Sequence, residues 1–358
     1  MNRVEQAGKG NAPRSAAGVM EQIAGRVGCS KSTVSRVLSG KGKNFSVRPE
    51  LREAILRTAD ELEYRPNPFL QMMRSRESKI IAVFDPVRDA SETIREAKES
   101  FIRRIRSSGY VATGSYLLER YRVEEYTVPF PIAGALLFNI SDPAFLAFFE
   151  RKEIPYAVVN GLHLDRGVGV QVDERHSAAL IIGALAERGH EHVAYYAVHS
   201  DFGDPRQHYS GALRERELRE ELQRHGIWLP EEVTGMEEAS AELFLRRSVL
   251  ENGATAVVCY DHVRAEEIAY AAWKLGLRIP GDISVVSFSD NPTLRRMTPP
   301  VSACSFSGGE MGEVAARTLL ECLNGESGVC SRIYKVRATL VERGSIAAAK
   351  EKRSLLEN

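Results

Sequence analysis

The chain has 358 residues, 43% hydrophobic and 27% charged, a globular composition long enough for two or three domains. Its 48 basic and 48 acidic side chains cancel overall but not locally: residues 1–79 hold fifteen Lys/Arg against eight Asp/Glu, and the remainder holds 33 against 40. A basic head on an acidic body points to a polyanion-binding module joined to something else, and no apolar run approaches bilayer length, "AALIIGALA" being far too short.

Residues 1–17 lack the apolar core of a signal peptide and are expected to form a disordered lead-in. Residues 18–64 predict three helices. The first, near 20–27, sets Met20, Ile23, Ala24 and Val27 on one face, and Gly28 ends it because glycine enters a left-handed turn at low cost. Ser30 is placed to cap a second helix that stops at Gly40. Pro49 suits the first turn of a third, where Leu51, Ala54, Ile55, Thr58, Ala59 and Leu62 follow at helical spacing. The three apolar stripes make one small core. Residues 65–79, with Asn67 as cap and Pro68 behind it, predict a hinge helix with too little apolar surface to be stable alone.

From Ile80 onward the apolar runs "IIAVF", "GALLF", "YAVV", "VGVQV", "VAYYA", "TAVVCY" and "ISVVSF" alternate with helical patterns, which predicts parallel sheets covered on both faces. The strands are too many for one comfortable sheet. Two doubly wound α/β lobes are therefore expected over 80–345, the first at about 80–160 and 292–331 and the second at about 161–291 and 332–345, followed by a tail at 346–358. A ligand cleft would lie at the carboxyl ends of the strands.

The most informative stretch is "GCSKSTVSRVLSG", residues 28–40. A helix-turn-helix needs a small residue in its turn, close packing of its two helices, and one side of the second helix left free for the DNA major groove. Ala24, Gly28 and the Val34, Val37, Leu38 stripe meet the first two needs, and Lys31, Ser32 and Arg36 meet the third. Arg36 can pair with both N7 and O6 of guanine, worth about 1–3 kcal/mol of discrimination. The short hydroxyls of Ser30, Thr33, Ser35 and Ser39 suit phosphate oxygens, which fix register without reading sequence. A merely solvated polar face is the competing reading, and the basic head argues against it.

These residues, with the third helix ending "ADELEYRPN" and the later "LGLRIPGDISVVSF" and "TPP", resemble the LacI/GalR bacterial transcription regulators from about Val19 to Ser345. The resemblance implies a homodimer whose paired headpieces bind a roughly palindromic operator, with Lys31, Ser32 and Arg36 reading bases. It also implies hinge helices inserted in the minor groove, where Met73 takes the place of a leucine wedge. The body would resemble type I periplasmic binding proteins and close over a small effector, a carbohydrate by family habit. The sequence departs from the family pattern at Val19, Arg48, Pro68 and Leu70, and its loop 41–46 is longer than usual.

Polar residues that follow strands, Asp85, Asn160, Asp261 and Asp290, together with Arg206 at the start of its helix, are effector candidates, although a capping role competes at each. The resemblance assigns Arg206 to the arginine that grips effector hydroxyls, Asn160 to a polar contact, and Phe306 to a ring that stacks on a sugar; Tyr260 and Ser289 replace usual polar residues there. No G-x-S-x-G elbow, P-loop or G-x-G-x-x-G opens a helix, so no enzyme or cofactor is expected. His190 and His192 lack a third metal ligand nearby, so no metal is expected. The five cysteines contain no C-x-x-C pair and indicate no disulfide framework, which fits a reducing cytoplasm. The alternative reading is a sugar-binding protein or hydrolase that uses the same cleft without DNA regulation.

Overall fold

The computed structural model describes residues 16–39, 47–64, 78–86, 92–117, 131–164, 167–198, 208–229, 240–326, 328 and 330–350. They belong to two compact units, Met1–Lys79 and Ile80–Asn358.

The first unit contains α1 (Ala16–Val27), α2 (Lys31–Ser39) and α3 (Pro49–Glu61). Helix α1 starts two residues before the expected boundary at 18, because alanines 16 and 17 continue a helix at no cost. Gly28 takes φ +70°, the Cys29 amide donates to the Ala24 carbonyl at 3.0 Å, and the chain turns. The Ser30 hydroxyl then accepts from the Thr33 amide at 3.1 Å and starts α2. Arg48 offers α3 no side-chain cap, so Pro49 in the first turn, with its preset φ, carries that start. Ile23, Ala24, Val34, Val37, Ile55 and Ala59 form the core. Each fully buried aliphatic side chain there contributes about 1.5–3 kcal/mol.

The second unit opens with β1 (Ile80–Pro86), α4 (Glu92–Ser107), β2 (Val111–Leu117), β3 (Gly134–Phe138), α5 (Pro143–Arg151), β4 (Tyr156–Val159) and β5 (Val168–Val172). It continues with α6 (Glu174–Ala186), β6 (Val193–Tyr196), α7 (Ser210–Arg224), α8 (Ala241–Leu245), β7 (Ala256–Cys259), α9 (His262–Lys274), β8 (Ser284–Ser287), α10 (Pro292–Arg296) and β9 (Ser302–Ser305). The last elements are α11 (Gly308–Leu323), β10 (Ile333–Val336) and β11 (Thr339–Val341). Among the described residues one sheet has the order β10-β5-β4-β3-β1-β2, all parallel, and the other β11-β9-β8-β7-β6, parallel except for β11.

This topology corrects the expected lobe limits. Strand β5 pairs with β4 (Ala157 opposite Val168) and β10 pairs with β5 (Ile333 opposite Gly169), so both belong to the first lobe, while α10 and β9 belong to the second. The chain changes lobe at three places, near 173, at 306–307 and at 337–338. A buried apolar run reports that a strand is covered, not which sheet it joins. Helix α11 returns to the first lobe and lies against α4 so closely that a Cβ on Gly312 would stand 2.0 Å from the Ala97 carbonyl, and one on Gly308 2.1 Å from that of Thr93. Glycine is required at both.

Two further expectations change. Residues 346–350 are not a free tail: the Ala347 amide donates to Ser284 Oγ at 3.0 Å, and the Ala349 amide to the Arg188 carbonyl at 2.8 Å. Cys322 and Cys330 form a disulfide with a Cα separation of 5.8 Å, because the turn after α11 brings back a residue whose distance in sequence gave no signal.

Candidate functional site

The first candidate surface is α2. Val34 and Val37 are buried while Ser32 and Arg36 are exposed, so the helix offers a polar side away from its own core. Lys31, at the first position of α2, donates from Nζ to Glu21 Oε1 on α1 at 2.7 Å. Ser30 Oγ lies 2.7 Å from Ser32 Oγ and 2.8 Å from Thr33 Oγ1, a hydroxyl cluster around the helix start. Ser30 therefore serves first as the cap. Ser35 is half-buried on the same helix. The side chain of Ser39, and Met73 altogether, lie outside the described residues.

The second is the region between the lobes. Asn160 follows β4 with φ +54°; its Nδ2 donates to Asn139 Oδ1 at 2.6 Å and its Oδ1 accepts from the Tyr209 hydroxyl at 3.2 Å. His208 Nε2 donates to the Asn160 carbonyl at 2.9 Å, and the Tyr209 amide donates to Ser141 Oγ at 3.2 Å. His208 and Tyr209 lead into α7 of the second lobe, so these bonds cross the cleft. With Nε2 donating, His208 Nδ1 accepts from Ser210, and burial, assisted by the Arg214 charge, holds its pKa down to about 4. Phe306 sits on a crossover, packs against the cores of both lobes, and lines a cavity of about 410 Å³ with Thr93, Glu96, Glu310 and Arg337.

The remaining candidates are held structurally. Asp85 is buried at the end of β1 with one oxygen paired to Lys98 of α4, while its Oδ1 has no hydrogen-bond partner among the described residues. Asp261 caps α9, accepting from the Arg264 amide at 2.9 Å and pairing with its guanidinium at 3.2 Å. Asp290 is fixed by Arg343 at 2.7 Å and Arg295 at 3.4 Å; Arg295 also approaches Glu92 of the first lobe at 3.8 Å. Arg206 lies outside the described residues.

Sequence reasoning missed a buried charge pair of the second lobe. Arg214 of α7 meets Glu174, the first residue of α6, at 2.9 Å; the guanidinium stands 4.8 Å from the Tyr260 ring centroid and 5.5 Å from that of Phe288, and donates to the Tyr260 carbonyl at 2.8 Å. Burial raises the Glu174 carboxyl above its ordinary value, although Arg214 opposes the rise. Burial, the largest single influence, would lower Arg214, but the charge and hydrogen bond of Glu174 together with Tyr260 and Tyr209 outweigh it and hold the guanidinium above its ordinary value. The signal was available: Arg214 stands four and eight residues before the buried Leu218 and Leu222, on the buried stripe of a helix otherwise crowded with charge.

A helix-turn-helix head and a two-lobed α/β body with three crossovers define the architecture of an effector-responsive DNA-binding regulator. The pattern of bacterial regulatory proteins of the lacI family matches residues 19–67, and that of a periplasmic binding protein-like domain matches 182–346. The chain is 28% identical over 353 residues to the HTH-type transcriptional regulator reg1 of Streptomyces lividans, covering 92% of this chain and 97% of that one. In fold it resembles the lac repressor dimer bound to operator and the anti-inducer ONPF (TM-score 0.73, 20% identity, 94% of this chain and 100% of that one). It also resembles a transcriptional regulator CelR–cellobiose complex (TM-score 0.65, 20% identity, 91% and 99%). Residues 19–67 carry the pattern of the lacI family of bacterial regulatory proteins, the chain is similar over nearly its whole length to LacI/GalR-type regulators, and it is a sequence-specific DNA-binding regulator with a ligand-binding cleft like theirs. Among the described residues no helix is long and apolar enough to cross a membrane.

Proposed function

We propose that the protein is a homodimeric repressor whose headpieces, residues 18–64, each occupy one half-site of an operator, and whose body at 80–345 shifts operator affinity on binding a carbohydrate. The observation that carries the DNA reading is the division of α2 into a buried Val34, Val37 side and an exposed Ser32, Arg36 side within a basic unit. Lys31, Ser32 and Arg36 read bases, and Ser30, Thr33, Ser35 and Ser39 meet phosphates. The hinge at 65–79 enters the minor groove through Met73. Operator affinity falls steeply with salt because Lys and Arg release counterions from the duplex; an anisotropy titration at several salt concentrations tests this, and a flat dependence contradicts it.

The carbohydrate reading is supported by the aromatic and polar groups between the lobes, Tyr209 bonded to Asn160, Tyr260 bonded to Ser210 beside it, and Phe306 lining a separate cavity at a crossover, and by the cellobiose bound to the CelR regulator of like fold. Arg206, Asn160, Asp85, Asp261, Asp290 and Phe306 are the residues proposed to face the effector. An effector moves the equilibrium only by binding the two arrangements of the lobes unequally. A thermal-shift screen of sugars and nucleobases, repeated with operator present, identifies it: an inducing sugar stabilises the body and loses affinity when operator is added.

A further inference from the structure

The headpiece keeps one carboxylate where a DNA-binding surface has reason to exclude it. Glu21 on α1 accepts from Lys31 at 2.7 Å, and Lys31 is the first residue of α2, proposed above to enter the major groove. Both side chains are open, Glu21 at 66% and Lys31 at 40% exposure, so no burial demands the pair. A carboxylate carried towards phosphates is repelled unless it meets a donor, and the donors in the major groove are the amino groups of cytosine and adenine.

We infer that Glu21 and Lys31 act as one reading unit specific for a G·C base pair. The major-groove edge of G·C presents two acceptors, N7 and O6, and then the cytosine N4 donor, with O6 and N4 about one hydrogen-bond length, ~2.9 Å, apart. An ammonium with three donors beside a carboxylate 2.7 Å away is the complement of that sequence: Nζ donates to guanine and Oε1 or Oε2 accepts from cytosine N4. An A·T pair presents acceptor, donor, acceptor, which sets an adenine N–H against the ammonium and leaves thymine O4 facing the carboxylate. Glu21 is thus a specificity-determining residue on the helix that precedes the reading helix.

This inference rests on the DNA-reading function proposed above, and its test separates the two. The full-length chain and its Glu21→Gln, Glu21→Ala and Lys31→Ala variants, each checked for native helicity by circular dichroism, select duplexes from a randomised pool that is then sequenced. The expected result is a fixed G·C pair in each half-site for the unsubstituted chain. Glu21→Ala loses about five- to a hundred-fold of discrimination against A·T at that pair. Glu21→Gln accepts A·T there, since an amide pairs with adenine. Lys31→Ala relaxes the same base pair. An unchanged motif in both Glu21 variants, or relaxation by Lys31→Ala at a different pair, overturns the reading unit while leaving DNA recognition intact. Failure of the unsubstituted chain to enrich any motif overturns the DNA-reading function and this inference together.

Discussion

In the headpiece the ion pairs Lys31–Glu21 and Arg26–Glu61 leave between 40 and 66% of each side chain exposed, whereas in the body Arg214–Glu174 retains 6 and 0% and Arg343–Asp290 13 and 5%. Exposed pairs of the first kind contribute roughly 0–1 kcal/mol and exchange partners easily. Buried pairs of the second kind hold their geometry, because separating them strands a charge in a poorly solvated place. The headpiece therefore keeps its charges ready to be redirected to nucleic acid, and the body uses its buried charges to fix elements within the second lobe, α6 to α7 and the turn after β8 to the segment after β11.

Removing one partner from each region sharpens the contrast. Glu174→Ala leaves Arg214 buried without its counter-charge and should destabilise the body by about 3–5 kcal/mol in a denaturant titration, while Glu174→Leu combined with Arg214→Met recovers most of that loss. A cost below about 1 kcal/mol for the single change would place this pair with the exposed ones and break the comparison. Ile55→Ala, in the headpiece core, should cost about 2–5 kcal/mol and abolish DNA binding while the melting of the body is unchanged. A uniform loss across both transitions would contradict the independence of the two units.

Arg36→Ala should leave folding intact and cost about 1–3 kcal/mol of operator affinity, with preference relaxed at one base pair. An equal loss on every sequence would reassign Arg36 to phosphate. A pH-dependent effect concerns His208. Its folded pKa of about 4 lies below the ordinary value near 6.5, so the unfolded chain binds more protons over that window. Stability of the body should fall as pH is lowered from about 6.5 towards 4, and His208→Gln should flatten that dependence. An unaltered pH profile in the variant would remove His208 from the cleft bonds.

The headpiece was legible because its helices are local: the face of α1, Gly28, Ser30 and Pro49 each act within a few residues. The strands β1 and β3 to β8 were legible as continuous apolar runs. Strand β2 carries Gly114 and lies at a sheet edge, β9 reads "SACS", and β10 is mostly exposed, so none shows the pattern of a buried strand. Lobe membership of β5, β9 and β10 depends on pairing across long distances in the chain. The cleft was legible only in part for the same reason. Asn160 announces itself by following a strand, whereas Glu174 and Arg214 become a pair only when α6 packs on α7.

The account rests on the headpiece discriminating among DNA sequences, and the most direct measurement is competition between the operator recovered by selection and random duplex of equal length at physiological salt. The predicted result is a preference of about a thousand-fold or more for the operator, reduced by Arg36→Ala. Equal affinity for the two duplexes would contradict it.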